Sequence, residues 1–189
     1  MRTETITKTY LKFDELNDEQ KAKAIDDNRD FNTEGIEWWD CTYEDAKEVA
    51  KIIGFEIDEI YFSGFHSQGD GACFTGRIGH NKGAAAKVKE YAPNDETLHT
   101  IAKKFQNLQR KSFYTANGTI EHRGHYYHEN SISVEVEAER GSACEGEWQE
   151  IASDFCRWIY AQLKAEHDHL TSDEVVKECM VSNEVEFGA

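Results

Sequence analysis

Apolar positions recur along this chain with two periods. Phe55-Glu56-Ile57-Asp58-Glu59-Ile60-Tyr61-Phe62 alternates and predicts a strand. Ala72–Ile78 predicts its antiparallel partner beyond a glycine-rich break. Ile132, Val134 and Val136 alternate with Ser133, Glu135 and Glu137, as in a strand with one buried and one acidic face. The β-branched run Thr3–Tyr10 predicts an opening strand. Strands are also expected over about 113–122 and 125–137, joined by a two-residue turn at Arg123-Gly124.

The helical period fills the remainder. Ala46, Val49, Ala50 and Ile53 recur at three and four residues, which gives one apolar face on a helix ending at Gly54. Thr42-x-x-Asp45 resembles a capping box for its start. Asn17 or Asp18 is placed to cap a helix through about Phe31, with Ala22, Ala24 and Ile25 inward. Helical sequence runs from about Lys82 to Tyr91, from Asp95 to Arg110, and from Glu145 to His169, where Ile151, Phe155, Trp158, Ile159 and Leu163 point inward. A last helix follows the Thr171-x-x-Glu174 capping box. Short connections between neighbouring strands predict an α+β fold: an antiparallel sheet of about five strands with helices mainly on one face. No linker or internal repeat divides residues 1–189, so one domain is expected.

Composition narrows the function classes. Hydrophobic residues make up 39% of the 189 and aromatics 12%, enough to build a core. The five scattered cysteines form no C-x-x-C pair, so reduced thiols in a cytoplasm are expected. No apolar leader follows Met1 and no run is long enough to cross a bilayer, so neither secretion nor a membrane is expected. Net charge is −16, distributed as −10 over residues 1–70, +5 over 71–125 and −11 over 126–189. Such a field repels phosphate, so direct nucleic-acid binding is not expected, even through Lys103, Lys104, Arg110, Lys111 and Arg123. An acidic surface instead suits a basic protein, including one built to bind nucleic acid. A homo-oligomer is compatible with the same composition.

Candidate chemistry concentrates in residues 63–76. Gly69-Asp70-Gly71 lets the backbone fold tightly around a carboxylate, either as a turn that Asp70 caps itself or as a ligand loop. The candidate binding residues are Ser63, Phe65, His66, Ser67, Gln68 and Asp70, together with Trp38 and Trp39. Of the two tryptophans, one is expected in the core and one half exposed. A triad of Ser67, His66 and Asp70, or one using Cys73, lacks any nucleophile motif, so no catalytic residue is assigned. The turn at Arg123-Gly124 would pair His122 with His125 on one face and leave His128 on the other, too few ligands for structural zinc. Neither a metal nor a cofactor is expected.

Trp38-Trp39-Asp40-Cys41-Thr42-Tyr43-Glu44-Asp45-Ala46 and Phe62-Ser63-Gly64-Phe65-His66-Ser67-Gln68-Gly69-Asp70-Gly71-Ala72-Cys73-Phe74 resemble a family of small bacteriophage and prophage proteins. The resemblance extends to Phe13-Asp14-Glu15-Leu16, Trp158-Ile159-Tyr160 and Leu170-Thr171-Ser172-Asp173. Some members of that family are described as antitoxins of a toxin–antitoxin stability system. Relatives often carry a tryptophan at the place of His66, which implies a planar contact there rather than a general base. The resemblance implies a non-enzymatic protein of the host cytoplasm that inhibits a bacterial defence or toxin protein (of anti-CRISPR, anti-restriction or antitoxin type). The alternative is a small-ligand or nucleotide binder, or a hydrolase, using loop 63–76.

Overall fold

A computed structural model describes residue 3 and residues 8–188. In chain order the elements are β1 (Tyr10–Lys12), α1 (Asp18–Asp27), α2 (Asp40–Ile53), β2 (Phe55–Phe62), β3 (Ala72–Ile78), α3 (Ala84–Tyr91), α4 (Glu96–Lys111), β4 (Ala116–His122), β5 (Ile132–Ala138), α5 (Glu145–Leu170), α6 (Asp173–Ser182) and β6 (Glu186–Gly188). Helices and antiparallel strands are mixed, an α+β architecture. Among the described residues no helix is long and apolar enough to cross a membrane. The chain folds as two compact units, residues 39–164 and residues 1–38 with 165–189.

In the larger unit the strand order is β2-β3-β4-β5, each pair antiparallel. Register explains its two faces. Glu56 pairs with Arg77, Arg77 with Thr119 and Thr119 with Glu135, and all four are exposed. On the other face Gly76, Ile120 and Val134 line up and are buried. Helices cover that second face. Phe55 meets Phe105 of α4 at 5.0 Å and Phe155 of α5 at 5.6 Å, and Phe74 meets Phe155 at 5.7 Å. Trp148 packs edge-on against Phe105, and Trp158 stacks on Phe155. Each such ring taken fully from water contributes about 1.5–3 kcal/mol, so this aromatic cluster anchors the unit.

The outer edge of β5 is partly closed by a side chain. The Gln149 amide accepts from Val134 N (3.1 Å) and donates to Ile132 O (3.2 Å), occupying backbone groups that would otherwise invite another strand. Gly54 ends α2 at φ +123°, donating to Ala50 O, and a Cβ there would meet the Phe105 ring at 2.6 Å.

In the smaller unit β1 pairs with β6, and Phe13, Leu16, Ala24, Val176 and Met180 form a core. Arg29 donates to Asp26, Asp173 and Thr171 O, and these carboxylates raise its pKa further.

β2 and β3 occupy the expected residues, and α4 follows an Asp95 cap that accepts from Leu98 N (2.8 Å). Several boundaries differ from expectation. Residues 4–7 of the expected opening strand lie outside the described residues. Its continuation, β1, joins a separate two-stranded ribbon, so the main sheet has four strands rather than five. α1 stops at Asp27, because the Asn28 amide donates back to Ala24 O while Arg29 turns away to its acids; Ala22 is exposed. α2 begins at Asp40, ahead of Thr42, with no side-chain cap. For α6 the cap is Ser172, which accepts from Val175 N, while the Thr171 hydroxyl donates to His167 O.

The β4–β5 connection is the largest correction. His122 pairs with Ile132, so the link is a loop of residues 123–131, and His122 does not pair with His125. A two-residue turn would have set Ser131 opposite Ala116, leaving Ile132, Val134 and Val136 without partners. Burial of that apolar face fixes the longer loop.

Candidate functional site

The β2–β3 and β4–β5 loops leave the same end of the sheet and close on each other. In the first, Ser63 N donates to Gly71 O (3.2 Å) at the base. Asp70 Oδ2 accepts from His66 N (2.8 Å) and Ser67 N (2.6 Å), and Asp70 N donates to Ser67 O. The carboxylate therefore caps the turn it sits in. It binds the backbone of His66 and Ser67 rather than an imidazole, so these three do not form a relay. Phe65 packs against Phe62 (4.9 Å) and Tyr160 (5.4 Å), and the Tyr160 hydroxyl donates to Gly64 O (3.2 Å). Burial, then the Asp70 charge, raise the Tyr160 pKa. His66, Ser67 and Gln68 are exposed at the tip.

The second loop folds down onto the first. A Cβ on Gly69 would meet Tyr126 Cδ1 at 2.9 Å, and one on Gly71 would meet His128 Cβ at 2.6 Å and Tyr127 O at 2.9 Å. Only glycine permits this approach. Tyr127 stacks on Tyr61 at 5.3 Å, with His122 beside both rings. Tyr61 donates to Glu59, a bond that raises its pKa. His122 Nε2 lies 3.0 Å from Tyr126 O, and His128 Nδ1 accepts from Asn130 N (3.0 Å). Two of the three histidines are thus engaged with backbone. Among the described residues no three His, Cys, Asp or Glu side chains gather to hold a metal ion.

Between the loops lies a cavity of about 560 Å³ lined by Gln68, Asp70, Tyr126, His128, Glu129 and Asn130. Tyr126, Glu129 and Asn130 are not among the site residues expected from sequence, and His128 is considered there only as a metal ligand. The available signal was the run Tyr126–Ser131, which lacks the apolar alternation of Ile132–Val136 although the strand expected over about 125–137 includes it.

The tryptophans stand elsewhere. Trp38 belongs to the smaller unit, its ring 5.5 Å from His167, and Trp39 immediately precedes α2 in the larger unit, its carbonyl accepting from Tyr43 N. Both are half-buried, so neither is the core residue expected of the pair.

Charge is unevenly placed. Glu56, Asp58, Glu59, Glu121, Glu135 and Glu137 lie on the open sheet face with Arg77 and Arg123. Arg77 lies 3.7 Å from Glu56, and Arg123 donates to Glu135 at 3.1 Å. Lys104 is bonded to Glu150 and Asp154, and Lys111 to Glu147, so with Arg123 three of the five cations considered for phosphate contact (Lys103, Lys104, Arg110, Lys111 and Arg123) are paired with acids. All five cysteines are free, Cys73 and Cys156 buried.

These features define an α+β protein with one helix-covered sheet face, one open acidic face, and a loop-built cavity at the sheet's end. The chain belongs to the family described as domain of unknown function (DUF8835), whose model matches residues 38–173. No curated protein and no solved structure matches it.

Proposed function

We propose that this chain is a non-enzymatic, phage-encoded binding protein of the host cytoplasm that inhibits a bacterial defence or toxin protein by engaging a basic surface. The observation that carries this reading is the open sheet face, where six carboxylates stand with two guanidinium groups already paired to acids. A net charge of −16 extends the attraction beyond that face. Pairing of Lys104, Lys111 and Arg123 weakens the case for nucleic acid as the partner. Phage origin enters from the loop and tryptophan motifs.

Steering by such a face strengthens encounter at low salt and fades within a Debye length of about 8 Å at physiological salt. The test is a tagged pull-down from bacterial lysate at low and high salt, repeated with Glu121→Gln and Glu135→Gln together. A basic protein retained at low salt, released at high salt and weakened by the double variant is expected. Retention of nucleic acid alone, or of a partner indifferent to both salt and the variant, refutes the reading.

A further inference from the structure

The cavity between the two loops has a chemistry that selects its ligand. Two carboxylates line it, Asp70 and Glu129, with the side-chain amides of Gln68 and Asn130, and no lysine or arginine is among the lining residues. Asp70 uses Oδ2 for its own turn, and among the described residues no donor reaches Oδ1. Glu129 is held in place, its carbonyl accepting from Ser153 and one carboxylate oxygen pairing at 3.6 Å with Arg157, a guanidinium that it shares with Asp154. His128 contributes no acceptor-facing cation through Nδ1, which is taken by Asn130 N–H. One wall is the Tyr126 ring, 57% of that residue remaining exposed while its edge is fixed against Gly69. Rigid aromatic side chains of this kind anchor interfaces.

We infer that this cavity receives a guanidinium group, supplied by an arginine side chain of a protein partner. A planar fork can bridge a carboxylate in two parallel hydrogen bonds while its face lies on a tyrosine ring. An ammonium group lacks the planar face, and phosphate meets two carboxylates of which only Glu129 has a cation beside it, shared with Asp154 and outside the cavity lining. A second cavity, of about 550 Å³ between the start of α4 and α5, does not offer the same chemistry. There Asp95 spends one oxygen on Leu98 N and the other on Trp158 Nε1, and Arg157 itself stands in the lining.

The inference rests on the proposed basic-protein partner and names what the partner contributes. The test is an NMR titration of the whole chain with N-acetyl-arginine methylamide, its lysine counterpart, free arginine and AMP. Saturable shifts at Gly69, Asp70, Tyr126 and Asn130 with the arginine amide are expected, about threefold or more tighter than with lysine. Glu129→Gln should weaken it about tenfold and Tyr126→Ala about threefold. Neither variant disturbs the Asp70 turn. Equal binding of lysine, shifts spread over the whole acidic surface, or preference for AMP overturns the guanidinium site. Tighter binding of free arginine overturns the protein source. Running Glu129→Gln in the lysate pull-down separates the two ideas. A salt-sensitive partner undiminished by the variant, with the arginine probe silent, sinks the cavity alone. A responsive probe with no basic partner sinks the proposed function alone.

Discussion

Gly71→Ala tests whether the two loops are one structure, because the sign of its effect depends on their contact. Gly71 does not occupy the left-handed region, so its backbone would accept alanine. Were the loops apart, alanine would stabilise the fold by about 0.4–1 kcal/mol through a less flexible unfolded chain. In the folded protein the added methyl would lie 2.6 Å from His128 Cβ and 2.9 Å from both His128 Cα and Tyr127 O. Carbon atoms prefer about 3.5–4.0 Å, so one loop must retreat by about an ångström, and backbone atoms cannot rotate aside as a side chain would. Overpacking of this kind costs about 1–3 kcal/mol. At about 2–4 °C per kcal/mol for a chain of this size, a 2 kcal/mol loss lowers Tm by about 4–8 °C. Thermal melts by circular dichroism read the shift, with Gly146→Ala as control, since a Cβ there meets nothing within 4 Å. An unchanged or raised Tm for Gly71→Ala refutes the joined loops, and the cavity between them with it.

Two further predictions concern the thiols and the phenol. Native protein should expose Cys41, Cys144 and Cys179 to a thiol reagent and protect Cys73 and Cys156 until it unfolds; five equivalents reacting at the native rate would contradict that burial. Stability should also fall in alkali. Burial raises the Cys73 and Cys156 thiols and pushes the Tyr43 phenol up to about 12. With native values above unfolded ones, the stability from keeping these groups neutral is complete below the unfolded thiol value of about 8.5 and is lost as pH rises through the folded values. The phenol's share disappears between about pH 10 and 12. Urea midpoints measured from neutral pH upward should stay level and then drop, and Tyr43→Phe should flatten the part above about pH 10. A midpoint indifferent to alkali in the parent chain contradicts the burial of these groups.

What the sequence disclosed follows from how each element is determined. β2, β3 and the apolar face of α2 were legible because burial there imposes an uninterrupted period, and Gly54 marks the stop by its backbone geometry. Helix starts were less legible, since Thr42, Thr171 and Ser172 all carry cap-forming hydroxyls and local rules cannot say which will meet a free N–H. The β4–β5 loop was misread for a deeper reason. Arg123-Gly124 is a sound local turn signal, but register is a long-range property, decided by which pairing buries Ile120 with Val134. That one shift moves Tyr126, His128, Glu129 and Asn130 from a strand into a loop that lies on Gly69 and Gly71. Loop 63–71 was visible as a candidate because its glycines are dense, and Asp70 was correctly readable as its own cap. Its partner was not visible, because nothing in Gly69-x-Gly71 states what approaches a residue without a Cβ. The candidate site therefore depends on two weak sequence features whose meaning appears only in combination: glycines that leave room, and an aromatic, acidic run too irregular to be strand. Charge followed the same logic. The sequence showed an acidic excess, but only the structure shows which cations of the basic middle segment, Arg77, Lys104, Lys111 and Arg123, are paired with acids. The six carboxylates of the open sheet face outnumber its two guanidinium groups, and the proposed arginine-bearing partner would complement both that face and the cavity at its end.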